Sequence, residues 1–360
     1  MADACNVVDP FAGMENKLMS FTKAVTTKIK IDQTPRQLIW ALNKTKLYRY
    51  CPVLPEEKRH RTPLLLVFAL MSRPSILDLR PGHSYAEWML NHGYDLYLLD
   101  WGIPGPEDKN LKFDDYVLEY LTRAIRKLKA FAGVEEFSML GWCIGAILAT
   151  AYAALRPDDG LRNLILLTAP LDFSHKETTF AKWTDEKNFN VDKVLEAFGN
   201  MPGGMMDAGA RMLKPVDNYL LNYMRLWDIL DNPEAVQSWQ AMNTWVTDTI
   251  PLAGGAFRQL VVDLFRNDLL LKGEWFLRGE RVDVSRIKAN LLTIIAESDH
   301  ITPPCMSKAI MDHVSSKDKE LFLIRSGHIG LMAGSSGPKV TWPHMDHWLG
   351  PRSKANGVTT

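Results

Sequence analysis

Cysteine is scarce in this chain, charge is balanced, and no apolar run is long. The 360 residues hold four cysteines (Cys5, Cys51, Cys143 and Cys305), scattered without metal-ligand spacing or a disulfide framework. Lysine plus arginine and aspartate plus glutamate both total 42, so the net charge is zero. Nothing therefore favours a polyanionic partner, and nucleic acid is not expected as one. The longest apolar run, Leu64 to Met71, is far too short to span a bilayer. The opening Met1-Ala-Asp-Ala-Cys-Asn-Val-Val-Asp9 has neither a positive nor an apolar leader region. No secretory signal is expected, and a reducing cytoplasm, where a reactive thiol survives, is the default. Gly-x-x-x-x-Gly-Lys-Ser/Thr and Gly-x-Gly-x-x-Gly are missing too, so no nucleotide or nicotinamide cofactor is expected. There is no internal repeat.

What is present is an ordinary globular composition, 46% hydrophobic and 23% charged, on a chain long enough for one large domain or two smaller ones. One stretch stands out: Phe137-Ser-Met-Leu-Gly141-Trp142-Cys143-Ile144-Gly145-Ala146. An apolar strand runs into Gly-x-Cys-x-Gly, and small residues to Ala154 continue as a helix. The pattern resembles the nucleophile elbow of the α/β-hydrolase fold, with sulfur in place of the usual serine oxygen. Small neighbours let strand and helix approach a strained turn, and a helix N-terminus favours a thiolate. The bland alternative is a buried cysteine acting as a small hydrophobe. The strand-then-helix context favours the elbow.

Alternation supports the same class. Residues 1–60 read as an N-terminal helical extension, with Thr34 capping a helix from Pro35 to Leu42. Strands are then expected at Pro63–Ala69, Tyr94–Leu99, Phe137–Leu140, Leu161–Thr168, Asn290–Ala296 and Glu320–Ile324. Helices are expected at Ser84–His92 and Phe113–Ala130. Short apolar strands separated by helices indicate an α/β fold, a mostly parallel sheet with helices on both faces. The core comprises residues 61–173 and 288–349. Between them, residues 174–287 form a helical cap inserted late in the sheet, rich in tryptophan and methionine such as Trp183, Trp227, Trp275, Met205 and Met224. Most of these are expected to fill the cap's own core. Gly203-Gly204 and Gly254-Gly255 are candidate hinges, although turns alone account for them. Residues 350–360 read as a flexible tail.

A cysteine nucleophile needs a base, and the base needs an acid group to hold its tautomer. Leu291-Leu-Thr-Ile-Ile-Ala-Glu-Ser-Asp299 is a strand ending at an aspartate, and Leu321-Phe-Leu-Ile-Arg-Ser-Gly-His328 is one ending at a histidine. Carboxyl ends of parallel strands are where such folds place catalytic groups. Cys143, Asp299 and His328 are therefore the candidate triad. Glu297, on the same side of its strand by alternation, remains open as the acid. Among the nine histidines, His300 reads as structural, and His344 and His347 lack a third ligand, so no metal is expected. Cys305 lacks an elbow and reads as packing. The oxyanion donors are expected to be the backbone N–H groups of Ile144 and, after the first core strand, Met71.

With these residues placed, roughly residues 30 to 350 resemble a polyhydroxyalkanoate synthase catalytic subunit. The resemblance rests on Thr34-Pro35, Asn43-Lys44, Leu47-Tyr-Arg-Tyr50, Arg73-Pro-Ser-Ile-Leu-Asp-Leu79 and Leu98-Leu-Asp-Trp-Gly102. It continues through Leu140-Gly-Trp-Cys-Ile-Gly145, Ala169-Pro-Leu-Asp-Phe173, Asn267-Asp-Leu269, Ala296-Glu-Ser-Asp-His-Ile-Thr-Pro-Pro304 and Ser326-Gly-His-Ile-Gly330. One departure is Ala146, where the family usually has another glycine. The family places its nucleophile, acid and base at the positions matching Cys143, Asp299 and His328. The short stretch before Cys143 is similar to the two-subunit types, which implies an E- or R-type partner subunit and a homodimer or hetero-oligomer. The implied activity is polymerisation of (R)-3-hydroxyacyl-coenzyme A, with coenzyme A leaving and a growing polyester held at a granule surface. Two rival readings use the same residues: a Cys-His-Asp hydrolase of small esters or lactones, and a non-catalytic granule-binding subunit.

Overall fold

The computed structural model describes residues 12–353, so Cys5 and residues 354–360 lie outside the described residues. Helix α1 (Ala12–Thr26) precedes an eight-stranded sheet. Its strands are β1 (Arg36–Leu42), β2 (Thr45–Tyr50), β3 (Leu64–Val67), β4 (Leu96–Asp100), β5 (Phe137–Trp142), β6 (Leu161–Leu167), β7 (Asn290–Ala296) and β8 (Lys319–Ile324). They lie in the order β1-β2-β4-β3-β5-β6-β7-β8. From β4 to β8 every neighbouring pair is parallel, while β1 and β2 run antiparallel at one edge. Every residue of β3 and β5 is buried, which requires cover on both faces of the sheet centre.

Each of the six strands expected from sequence is found, β7 with the same bounds. Helix α2 (Tyr85–Asn91) starts where Ser84 accepts the Glu87 N–H on its hydroxyl. Helix α3 (Thr122–Ala132) extends a π-helical turn, Asp115–Leu121, and stops at Gly133, whose φ of 66° suits glycine. Helix α4 (Ile144–Leu155) follows β5 and is buried at every position.

The expected helix at Pro35–Leu42 is instead strand β1. A continuous apolar run does not distinguish the two forms, and the partner decides. Asn43 takes φ 52°, a conformation asparagine tolerates, and turns the chain so that Leu42 pairs with Thr45. The β2 strand then joins β4, burying Leu47 and Tyr50 completely. Thr34 caps no helix. Its N–H and hydroxyl both bond the Asp78 carboxylate, at 2.7 and 2.8 Å.

Between β6 and β7 come α5 (Thr179–Thr184), α6 (Val191–Phe198), α7 (Gly203–Met212), α8 (Asn222–Asp228), α9 (Pro233–Thr247) and α10 (Gly254–Gln259). The second half of this stretch packs into the body: Leu252, Phe257, Leu264, Trp275, Leu277 and Ile287 share its core. A short antiparallel ribbon, Phe276–Leu277 with Glu280–Arg281, interrupts the helices. Except for Gly204, the paired glycines are close approaches rather than free hinges. A Cβ on Gly203 would lie 2.5 Å from the Ile250 carbonyl oxygen, and one on Gly254 2.2 Å from that of Gly199. At the other end, residues 350–353 form a turn in which Arg352 grips Asp318 at 2.9 and 3.0 Å, so the tail expected to be flexible is anchored this far.

Candidate active site

Cys143 sits between β5 and α4 with φ 55° and ψ −123°. A non-glycine residue with positive φ is strained and persists only where its surroundings enforce it. Here the enforcement is visible. The Cys143 N–H donates to the Leu167 carbonyl at 3.0 Å, fastening the turn to β6. A Cβ on Gly145 would lie 2.1 Å from the Val67 carbonyl oxygen, and one on Gly141 2.6 Å from the Ala146 Cα. Only glycine lets α4 lie this close to β3 and β5. Ala146 is fully buried in that contact. Trp142 presents its ring edgewise to Phe68, centroids 5.1 Å apart, packing the turn against the loop that follows β3.

Asp299 and His328 follow the carboxyl ends of β7 and β8, which pair in register from Leu291–Lys319 to Ala296–Ile324. The ladder continues past the strands, with the Glu297 N–H on the Ile324 carbonyl and the Ser298 N–H on that of Ser326. This brings the two loops together. His328 Nδ1 lies 2.7 Å from Asp299 Oδ2, with Asp299 3% and His328 9% exposed. The other oxygen, Oδ1, accepts the N–H groups of Ile301 and Thr302 at 2.9 and 2.8 Å. Those bonds fix the carboxylate in orientation.

The Cys143 sulfur also acts on His328, so the imidazole lies between carboxylate and sulfur. Burial opposes a charge on the ring. The Asp299 carboxylate, the sulfur of Cys143 and the hydrogen bond to Asp299 outweigh it and raise the imidazole from 6.5 to about 10. Cys143 itself is half-buried at the head of α4, where the helix N-terminus favours negative charge.

The other candidates fall elsewhere. Glu297 is exposed, 3.7 Å from Arg325, and is not the histidine's partner. His300 is exposed. His344 stacks on Phe322 at 3.5 Å and bonds Glu320, while His347 is exposed. No metal-ligand group among the described residues includes Cys143, Asp299 or His328. Ile144 opens α4, so its N–H has no acceptor within the helix. Met71 is half-buried in the loop after β3. Two open surface clefts, one lined by Arg126, Lys129 and Arg156, contain none of these residues. Sequence reasoning passed over Ile301 and Thr302. Their signal was Asp-x-x-Thr after a strand, a pattern that folds the carboxylate back onto the next N–H groups.

The α/β hydrolase fold family matches residues 81–335. A poly(3-hydroxyalkanoate) polymerase subunit PhaC from Allochromatium vinosum is 33% identical over 94% of this chain and 93% of its own length. The chain belongs to the poly(3-hydroxyalkanoate) polymerase family. A PhaC from Haloferax mediterranei is 34% identical over 91% of this chain, which spans 66% of that relative. Among solved structures, a monoacylglycerol lipase from Paleococcus ferrophilus superposes with a TM-score of 0.55 at 20% identity, covering 85% of this chain and 99% of that one. That likeness shows the fold alone. Polymerase-family membership and the hydrolase fold thus meet in one chain, with sulfur at the elbow.

Proposed function

We propose that this chain polymerises 3-hydroxyacyl-coenzyme A through an acyl-enzyme on Cys143. The observation that carries the proposal is His328 bonded to Asp299 and placed where the Cys143 sulfur acts on its charge. The imidazole takes the thiol proton, and the sulfur attacks the thioester carbonyl. The carbon–sulfur bond to coenzyme A then breaks, and coenzyme A leaves with a proton. One thioester replaces another, so the acyl group stays activated. His328 next removes the proton from a 3-hydroxyl group, whose oxygen attacks the acyl-enzyme carbonyl; the ester forms as the carbon–sulfur bond to Cys143 breaks, and the proton returns to the sulfur. Asp299 holds the tautomer and stabilises the imidazolium. We assign oxyanion stabilisation to the N–H groups of Ile144 and Met71. The scheme needs no cofactor, since coenzyme A is a leaving group.

Water must be excluded or hydrolysis would win, and the helices between β6 and β7 are assigned that task. They also expose Met205, Met212, Val216, Leu220 and Met224, an apolar surface suited to a polyester granule or a second subunit. Several relatives are themselves named as subunits, which supports a second subunit here. The test is Cys143→Ala: coenzyme A release from 3-hydroxybutyryl-coenzyme A is expected to vanish with the fold intact. Unchanged release would rule the scheme out. Free 3-hydroxy acid in place of extended ester from the unmodified chain would identify a hydrolase instead.

A further inference from the structure

Cys305 lies far in sequence from His175 and Glu177, yet the donor atoms of all three fall within 4.8 Å of one another. Cys305 is the second residue of the helix α11 (Pro304–Lys308), which begins just after the Asp299 loop. The other two come from the loop between β6 and α5, where the chain leaves the body for the cap. Asp172 contacts the histidine from outside this group. Its Oδ2 lies 3.4 Å from His175 Nε2, while its Oδ1 is occupied by the Ser174 N–H. On the other side of the ring, His175 Nδ1 lies 3.1 Å from Glu177 Oε1.

The backbone holds these groups in place. The N–H groups of Leu171 and Asp172 both donate to the Met306 carbonyl, at 3.1 and 2.9 Å. The Ser307 hydroxyl donates to the Ala169 carbonyl at 2.7 Å. Two segments are therefore stitched together directly beside Cys305. Lys176, the one cation within the loop, is engaged elsewhere, donating to the carbonyls of Phe173, Phe265 and Arg266.

We propose that Cys305, His175 and Glu177 form a binding site for a zinc-class divalent cation. One sulfur, one imidazole nitrogen and carboxylate oxygens are the donor types such an ion takes. Donors around a tetrahedral zinc stand about 3.3–3.8 Å apart, so the cluster needs to contract by about 1 Å. The exposed Glu177 side chain is free to supply that movement. Binding forms a metal–sulfur bond and releases the Cys305 proton to solvent, so affinity rises with pH. The bound ion ties the first residues of the cap to α11, and so to the loop carrying Asp299. The site does not depend on the chemistry assigned to Cys143.

Cobalt(II) tests this, because a sulfur ligand gives it a charge-transfer band that oxygen and nitrogen ligands do not. The probe is Co2+ titrated into untagged, chelator-stripped protein, followed by displacement with Zn2+. One cobalt per chain with that band is expected, in the unmodified chain and equally in Cys143→Ala. Cys305→Ser is expected to lose the band, and His175→Gln to bind at least tenfold more weakly. A folded chain that shows no band, or a band that survives Cys305→Ser, overturns the proposal. Should Cys305→Ser not fold, unchanged cobalt affinity in both His175→Gln and Glu177→Gln overturns it equally.

Discussion

The elbow and the cap are built to opposite specifications. Around Cys143 every side chain of α4 is buried, and two glycines admit backbone contacts that no Cβ would allow. In α7 and the helical turn Val216–Leu221 not one residue is buried, and α8 buries Leu226 alone. The first region holds a strained φ at its centre. The second presents methionine and leucine to its surroundings. Strain persists only where packing over-determines it, so a reacting sulfur belongs on the dense side. A surface meant to meet varied apolar material gains from the loosely held side, where Met adapts its shape.

The sharpest way to break this contrast is to disturb the dense region with a change that leaves its packing alone. Asp299→Asn keeps the volume but supplies an amide where the imidazole needs a carboxylate. Coenzyme A release is expected to fall about ten-thousand-fold, the scale seen when a triad histidine loses its acid partner. The His328 pKa, followed by NMR, is expected to drop from its raised value towards 6.5, because the leading favourable charge is gone. A loss of less than tenfold would remove Asp299 from the mechanism. Next in size is Gly145→Ala. Its Cβ meets a backbone carbonyl that cannot rotate away. A destabilisation of about 3 kcal/mol is expected from urea unfolding, at the upper end for overpacked cores. Gly204→Ala, with open space at the same atom, serves as the control.

The same contrast explains what the sequence disclosed. The central strands were legible, and Cys143, Asp299 and His328 could be picked out as candidates, because each depends on local chemistry: an apolar run, a Gly-x-Cys-x-Gly, a polar residue at a strand end. Arg36–Leu42 was misread because its apolar residues are consecutive. Whether such a run coils or extends is decided by Thr45–Tyr50, which pairs with it and with β4. Glu297 could not be separated from Asp299 by alternation. The separation comes from the turn after β7, which sends Asp299 inward to the Ile301 and Thr302 N–H groups and leaves Glu297 in solvent. The His175–Glu177–Cys305 group was invisible for a related reason, since the fold brings its members together across a long stretch of chain.

The imidazole's raised pKa predicts how the dense region responds to pH. A group whose folded value, about 10, exceeds its unfolded value, 6.5, contributes stability that is full below about pH 6.5. That contribution is lost as pH rises through about 10. Urea midpoints are therefore expected to decline across this window in the unmodified chain. In Cys143→Ala the sulfur's share of the shift is absent, so the decline is expected to be shallower and to finish at lower pH. Identical slopes in the two proteins would show that sulfur and imidazole are uncoupled.

The smallest effect is expected on the cap. Leu220 and Met224 are 56% and 53% exposed, so neither loses much on being shortened. Leu220→Ser and Met224→Ser are each expected to shift the unfolding free energy by no more than about 0.5 kcal/mol, as substitutions on an exposed surface do. Coenzyme A release by the isolated chain is expected to hold steady, because neither residue has a role in the proposed scheme. What should change is adsorption to an apolar surface such as polyester particles, in proportion to the hydrophobic area removed. A loss of stability above about 1.5 kcal/mol would mean that these side chains are packed in solution, and the contrast between a rigid elbow and an open cap would fail.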